Sequence, residues 1–124
     1  MEAATVSKSL IADGCFIDSG AVIENSIIGL RCRIGKNVTI KNSILMGADF
    51  YDHDSTEKNG PQVGVGDGAY IQGAIIDKNC RIGKSVRIDS ESLTSPDFDH
   101  EKYVARDGII VAPKDTIFPD GWAS

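Results

Sequence analysis

Isoleucines recur along the chain at a spacing that fits neither a helix nor an ordinary strand. Between Ile11 and Ile40 the successive intervals are six, six, five, six and six residues. An amphipathic helix would need a period of about 3.6 residues, and a half-buried strand a period of two. Small or turn-forming residues such as Gly29, Gly35 and Asn37 follow the aliphatic positions. The pattern predicts short strands separated by corners, with three strands completing a turn of about 17 residues.

The same arrangement of residues occurs twice in the chain. Residues Ala69–Ile88, AYIQGAIIDKNCRIGKSVRI, match Ala21–Ile40, AVIENSIIGLRCRIGKNVTI, at eleven of twenty positions without a gap. Internal repetition indicates a solenoid, in which each repeat packs on its neighbours. The copies differ most where the second has DKN at 77–79 and the first has GLR at 29–31. We therefore expect the shared positions to specify the fold and the differing corner to carry function.

These two observations predict the fold class. We expect an all-β protein, a single-stranded parallel β-helix built from hexapeptide repeats, whose coils hydrogen-bond to the coils above and below. In this arrangement Ile11 should stack on Ile28, and Ile23 on Ile40. The spacing does not determine the hand of the coil, since right-handed crossovers are only the general rule for parallel strands.

Two polar segments interrupt the period and predict excursions from the coil. Residues 46–62 contain an Asn-Gly-Pro turn signal, and residues 89–106 contain Pro96 as a breaker. The repeat resumes after each of them, at Val63–Gly68 and at Gly108–Val111. We interpret both interruptions as loops that leave the stacked coils and return to them.

The length of 124 residues predicts one domain, which we place over residues 1–124. Residues 115–120 supply a last partial coil. Trp122 is expected to help cover the open end behind it, because terminal repeats of a solenoid need a cap. With 41% hydrophobic but only 6% aromatic residues, the core should be filled mainly by isoleucine and valine.

Charge and hydropathy narrow the possible partners. The net charge is −5, half of the acidic residues lie in the two excursions, and the repeats themselves are locally basic. A basic body suits small anions, whereas nucleic-acid binding would call for a high isoelectric point and interleaved aromatics. No apolar run approaches the roughly 20 residues that span a membrane, and no secretory signal begins the chain. We therefore expect a soluble intracellular protein that contacts neither nucleic acid nor membrane.

Three cysteines without a CxxC pair favour a reducing compartment over a disulfide framework. Cys15, Cys32 and Cys80 fall at equivalent repeat positions, so they should form one column at a corner. A tetrahedral metal site needs ligands that converge from different directions, which a single column does not offer. We therefore interpret the three residues as buried thiols and predict no metal site.

The two histidines, His53 and His100, both lie in acidic excursions. Two histidines cannot supply the three zinc ligands of a β-helix carbonic anhydrase. One histidine could still serve as the general base of a hexapeptide acyltransferase, which would act as a trimer. This acyltransferase, and a scaffold that only promotes oligomerisation, remain as alternative functions.

Two lysines are the candidate binding residues. Lys78 lies at the corner where the first copy has Leu30, and Lys114 follows an apolar run. Each could be an ordinary solvated lysine, as most lysines are. Each could also belong to an anion site, because an ammonium group is a compact charge suited to phosphate and stacked coils bring distant corners together.

Three segments resemble a known family. SILMGADFY at 43–51, AIIDKNCRIG at 74–83 and GIIVAPKD at 108–115 are similar to the C-terminal domain of ADP-glucose pyrophosphorylase, or glucose-1-phosphate adenylyltransferase, of plant and cyanobacterial type. The similarity runs from about Ser9 to Gly121. It implies a left-handed β-helix that helps hold a homo- or hetero-oligomer together. It also implies a part in control by small phosphorylated effectors such as 3-phosphoglycerate and by inorganic phosphate.

The resemblance extends to particular residues. Lys78 in IIDKN and Lys114 in APKD match the two C-terminal effector lysines of the family. The sequence departs from the family at Ala112 and Pro113, where aliphatic residues are usual, and at its C-terminal end, which lacks the usual apolar residues.

The catalytic features of the family are not found in these 124 residues. The complete enzyme makes ADP-glucose from ATP and glucose 1-phosphate for starch or glycogen synthesis, using a catalytic nucleotidyltransferase domain. ATP and Mg²⁺ would belong to that domain, so we expect no cofactor and no catalytic residue in this chain. The expected location is the plastid for a plant protein and the cytoplasm otherwise.

Overall fold

The computed structural model describes residues 4–50 and 61–124. Within these ranges the chain forms seventeen short strands, numbered here in chain order, and one 3₁₀ turn at Ser90–Ser92. The strands form three sheets. The first sheet contains β1 (Thr5–Ser7), β4 (Val22–Glu24), β7 (Thr39–Lys41), β10 (Tyr70–Gln72) and β13 (Arg87–Asp89). The second contains β2 (Leu10–Ile11), β5 (Ile27–Ile28), β8 (Ile44–Leu45), β11 (Ala74–Ile76), β16 (Ile109–Ala112), β15 (Val104–Arg106) and β14 (Phe98–Asp99). The third contains β3 (Phe16–Ile17), β6 (Arg33–Ile34), β9 (Gly64–Val65), β12 (Arg81–Ile82) and β17 (Ile117–Phe118).

Apart from β14, β15 and β16, which all lie in the second sheet, consecutive strands of the chain belong to different sheets, so the backbone winds around a common axis as a parallel β-helix. The predicted register is confirmed: Ile11 pairs with Ile28 and Ile23 with Ile40, both in parallel. Each strand is only two to four residues long. A strand of this length has little stability alone, and it depends on the hydrogen bonds to the coils on either side.

The interior of the coil is aliphatic, as the composition predicted. In the first sheet the inward column consists of isoleucines from four successive coils, and all four are fully buried: Ile23, Ile40, Ile71 and Ile88. β-branched side chains pack well on a pleated surface because their preferred rotamers are few. A repeated inward isoleucine therefore both favours the strand and fills the narrow core.

The first excursion begins later than the sequence predicted. Met46 donates its backbone N–H to the carbonyl of Ile76 at 2.9 Å, and Ala48 donates to Leu30 at 2.8 Å. These bonds keep residues 46–48 in the stacked coil although their composition is that of a loop. Residues 51–60 of the predicted excursion lie outside the described residues.

The prediction of a simple loop for the second excursion is wrong in part. After the 3₁₀ turn, β14 and β15 form an antiparallel hairpin, and β15 pairs with β16 through Ala105 and Ile110. Tyr103 and Ala105 are buried in the core. The acidic residues and Pro96 suggested a loop, but β15 and β16 are separated only by Asp107 and Gly108, which both have a positive φ and form the two-residue turn of a tight hairpin.

An aromatic cluster closes the C-terminal end of the coil, as expected of Trp122. The Trp122 ring meets Phe118 edge-on at 4.7 Å and Tyr103 at 6.0 Å between centroids. Its carbonyl also accepts a 2.8 Å hydrogen bond from the backbone of Arg87. Trp122 therefore covers the core both with its side chain and with its backbone.

The outward face of the second sheet carries an apolar stripe that the repeat analysis did not predict. Leu10, Ile27, Ile44 and Ile75 follow one another in register on β2, β5, β8 and β11. We call these four residues the aliphatic ladder. Leu10 is 69% exposed and Ile44 is 40% exposed, so the ladder presents a continuous apolar surface to solvent.

A matched pair of substitutions in the third sheet tests the assignment of inward and outward positions. Ile34 is 1% exposed and Ile117 is 47% exposed, and both lie in strands of that sheet. We expect Ile34→Ala to lower the free energy of unfolding by about 2–5 kcal/mol, because it leaves a cavity. Ile117→Ala should change it by less than about 0.5 kcal/mol. Urea unfolding measures both values, and equal losses would contradict the assigned orientation.

Candidate anion-binding corner

One corner of the coil stacks in register through most of the molecule. It follows the strand that each coil contributes to the second sheet. Backbone N–H groups link successive coils at this corner: Ala48 to the carbonyl of Leu30 at 2.8 Å, Asn79 to Gly47 at 3.0 Å, and Asp115 to Lys78 at 3.0 Å. Because Asp115 directly follows Lys114, the last of these bonds sets Lys114 beside Lys78. The two candidate lysines are thus neighbours, although they are far apart in sequence.

Both lysines point to the same carboxylate, that of Asp49. The Lys78 Nζ lies 3.3 Å from Asp49 Oδ1, and the Lys114 Nζ lies 3.9 Å from Asp49 Oδ2. All three side chains are about half exposed. The structure therefore brings the two predicted residues together, on a surface that a solute can reach.

Asn79 fixes the position of this carboxylate. Its side-chain amide donates to Asp49 Oδ2 at 3.0 Å, and its side-chain oxygen accepts from the backbone N–H of Asp49 at 2.9 Å. Asn79 is buried and its φ is +62°, a left-handed conformation that asparagine tolerates better than most residues. The hydrogen bond from Asn79, followed by the hydrogen bond and charge of Lys78 and the charge of Lys114, holds the pKa of Asp49 below its usual value.

The backbone before Asp49 explains how the carboxylate reaches this place. Gly47 has φ +90°, and a side chain there would collide with the carbonyl of Leu30 in the neighbouring coil. Glycine is therefore required for the chain to pass this corner closely. Arg31 then donates from Nε to the carbonyl of Ala48 at 3.0 Å and anchors the residue that precedes Asp49.

This corner brings together two ammonium groups, one carboxylate and one side-chain amide. The two ammonium groups meet the Asp49 carboxylate, and the Asn79 amide adds a neutral donor. Asp77 and Asp115 lie next to the two lysines in the chain. Within residues 4–50 and 61–124, no group of three or more His, Cys, Asp or Glu side chains could hold a metal ion. We call Lys78, Lys114, Asp49 and Asn79 the lysine corner.

The three cysteines each directly precede a strand of the third sheet, but only two of them are buried. Cys32 and Cys80 are buried, and burial is the main cause that raises their pKa to about 12 and about 11 respectively. The Cys80 thiol donates to the carbonyl of Pro113 at 3.2 Å. Cys15, in the first coil, is half-buried and donates to the carbonyl of Gly29 at 3.1 Å. The prediction of buried thiols is thus confirmed for Cys32 and Cys80 and wrong for Cys15, which has fewer coils around it.

His100 belongs to the aromatic cluster at the C-terminal end. Its ring stacks on Tyr103 with centroids 4.8 Å apart, and its Nδ1 accepts a 3.0 Å hydrogen bond from the backbone of Lys102. These contacts give His100 a structural role in the cap. His53 lies outside the described residues. No described contact therefore favours the acyltransferase alternative.

Sequence reasoning identified the lysines but missed the residues that organise them. In the sequence, Asp49 is one of several acidic residues of the first excursion, and Asn79 is one of the three residues at which the repeat copies differ. The positions of both residues could have been read from the repeat. A 17-residue coil makes residue 47 the equivalent of Leu30 in the next coil, and the offset of 48 makes Lys78 its equivalent in the second copy. Residues 47 and 78 therefore occupy the same corner of the coil, which brings Asp49 close to residues 77–79.

The stacked coils define the chain as a β-helix domain of the solenoid class. A family model described as the GLGC left-handed parallel β-helix domain matches residues 1–123. The chain therefore belongs to the family of GLGC left-handed β-helix domains, and its coil is left-handed. This confirms the resemblance noted in the sequence.

Two relatives support the same assignment. The chain is 38% identical over 61 residues to "Glucose-1-phosphate adenylyltransferase large subunit 2" of Hordeum vulgare, covering 49% of this chain and 32% of that protein. It is 36% identical over 68 residues to "Glucose-1-phosphate adenylyltransferase small subunit, chloroplastic/amyloplastic" of Triticum aestivum, covering 51% of this chain and 14% of that protein. The chain thus spans a third or less of these relatives.

In the described residues no helix is long and apolar enough to cross a membrane.

The lowered pKa of Asp49 can be tested by titration of its carboxyl group. We expect a midpoint below the ordinary value of 3.8, because the Asn79 amide and both ammonium groups stabilise the ionised form. The contribution of this carboxylate to stability should be complete above that value and lost as pH falls through the lower midpoint. NMR of the Asp49 side-chain carbonyl carbon measures the midpoint directly.

Two variants test which groups lower the pKa of Asp49. Asn79→Gly keeps the left-handed backbone accessible and removes the amide, so the midpoint should rise towards 3.8. Lys78→Gln should also raise it, since Lys78 contributes both a hydrogen bond and a charge. A wild-type midpoint at or above 3.8 would contradict the described contacts.

Proposed function

We propose that this chain is the assembly and regulatory C-terminal domain of an ADP-glucose pyrophosphorylase, and that it binds phosphorylated effectors at the lysine corner. The observation that carries the proposal is the convergence of the Lys78 and Lys114 ammonium groups on one exposed carboxylate. Membership of the GLGC β-helix family and the names of the two plant relatives support it.

The lysine corner suits phosphate for three physical reasons. Two ammonium groups within reach of one anion double the Coulomb attraction that a single surface lysine provides. Each ammonium has three donors, so Lys78 and Lys114 can bond different oxygens of one phosphate. Exposure allows rapid exchange, which a metabolite sensor needs. It also allows screening by salt, so we expect a dissociation constant on the order of millimolar for 3-phosphoglycerate.

The resemblance implies that catalysis and regulation belong to different domains. In the complete enzyme, nucleotidyl transfer from ATP to glucose 1-phosphate, with its Mg²⁺, would belong to a separate catalytic domain. The β-helix domain would change the activity of that catalytic domain by binding effector and by holding subunits together. We propose a plastid location if the source is a plant, in line with the chloroplastic or amyloplastic name of the wheat relative.

The aliphatic ladder is the surface that we propose for assembly. Its apolar residues continue without a polar interruption across four strands of the second sheet. Contiguous exposed apolar area on a soluble protein generally marks an interaction site. We propose that a second copy of this chain covers it, because both curated relatives are named as subunits.

Effector binding is tested by titrating the chain with 3-phosphoglycerate and following backbone amide shifts. We expect shifts centred on residues 77–79 and 114–115. Lys78→Gln and Lys114→Gln should each weaken binding about two- to fivefold, the value of one exposed charge contact. Lys84→Gln, an exposed lysine at a different corner, is the matched control and should leave the affinity unchanged.

Two results would contradict this role. If the amide shifts do not include residues of the lysine corner, 3-phosphoglycerate does not bind there. If all three lysine variants lose affinity equally, the effect is one of general charge.

Assembly is tested by sedimentation of variants with a charge on the ladder. Ile44→Glu should shift the chain towards monomer, because an unpaired carboxylate is strongly disfavoured in an apolar interface. Ile117→Glu places the same charge at a similarly exposed isoleucine of the third sheet and should have no effect. If the wild type sediments as a monomer at all concentrations, or if both variants dissociate alike, the ladder is not the interface.

A further inference from the structure

The lysine corner already contains an anion of its own, the carboxylate of Asp49. We propose that Asp49 is a built-in competitor that restricts the corner to doubly charged phosphate groups and excludes singly charged anions. This inference rests on the proposed function of the corner as an anion site. It adds to that function the charge class of the ligand and the residue that selects it.

The carboxylate uses the positions that a ligand would use. Its Oδ1 faces the Lys78 ammonium at 3.3 Å, and its Oδ2 faces the Lys114 ammonium at 3.9 Å. The same Oδ2 accepts a hydrogen bond of 3.0 Å from the side-chain amide of Asn79. An incoming anion that contacts both lysines must therefore displace this carboxylate or lie directly beside it.

Neither route favours a singly charged ligand. Displacement exchanges one negative charge for another and gives up the hydrogen bond from Asn79. Lying beside the carboxylate places two negative charges in contact, which disfavours both. A doubly charged phosphate differs because it brings twice the charge to the two ammonium groups.

The structure allows the carboxylate to move aside. Its side chain is 45% exposed, and its hydrogen bonds come from one neighbouring amide and one lysine. The backbone N–H of Asp49 bonds separately to the Asn79 oxygen at 2.9 Å, so the main chain can stay in place while the side chain rotates. Displacement therefore does not require the coil to open.

Two probes of similar shape separate charge from geometry. Methyl phosphate is doubly charged at pH 8, because the second pKa of a phosphate ester is about 6. Methanesulfonate has three terminal oxygens but a single charge. Amide shifts at residues 77–79 and 114–115 report binding of each. The wild type should bind methyl phosphate at least about tenfold more tightly than methanesulfonate.

The decisive variant is Asp49→Asn. It should bind methanesulfonate about three- to tenfold more tightly than the wild type, the range expected when two exposed charge contacts are freed. Its affinity for methyl phosphate should rise less, so the ratio between the two probes should shrink. Asp49→Ser provides a second variant if the asparagine form does not fold. Asp99→Asn, which removes an exposed carboxylate paired with Arg106 at 2.8 Å, is the matched control and should match the wild type.

The possible outcomes distinguish this inference from the proposed function. If neither the wild type nor the Asp49 variants bind methyl phosphate at the corner, the anion site itself fails. If the wild type binds but the Asp49 variants bind more weakly, the carboxylate positions the lysines instead of competing, and the inference is overturned. An unchanged ratio between the two probes would overturn it as well.

Discussion

Hydrogen bonding between successive coils holds this molecule together. Strands of two to four residues cannot stand alone, so each takes its stability from the coils above and below. Backbone donors such as Val22 and Thr39 reach carbonyls in the next coil at 2.8 and 2.9 Å. Because every coil must keep this register, inward side chains form columns, and so do the residues at each corner.

That register also governs where the chain can vary. An extra segment can be accommodated only if the chain leaves and rejoins the coil without displacing a paired strand. The second excursion illustrates the rule, since its hairpin returns to pair with β16 on the edge of an existing sheet. The first begins beyond Ala48, at the end of a corner. Asp49 lies at that point of departure and is therefore free to turn towards the next coil.

The lysine corner depends on a balance between the repulsion of two ammonium groups and their attraction to one carboxylate. Stacking sets Lys78 and Lys114 in adjacent coils, where two ammonium groups repel each other in the absence of an anion. The Asp49 carboxylate offsets this repulsion, and the Asn79 amide keeps it ionised and in place. The domain can therefore hold two neighbouring lysines on its surface with or without a ligand. Under the proposed function, an effector would compete with the Asp49 carboxylate for these two ammonium groups.

The sequence by itself determined the coil. The six-residue recurrence of isoleucine and the duplicated segment Ala21–Ile40 required stacked parallel strands, because a local pattern of inward residues repeats in every coil. It also singled out Lys78 and Lys114 through their resemblance to a known family. Only the tertiary structure decided that these lysines meet at Asp49 and that the outward residues of the second sheet form an aliphatic ladder. The meeting of the lysines depends on how the segment between Asp49 and the next coil returns, which hydrogen bonds between distant residues set. The ladder depends on which side of each strand faces the core.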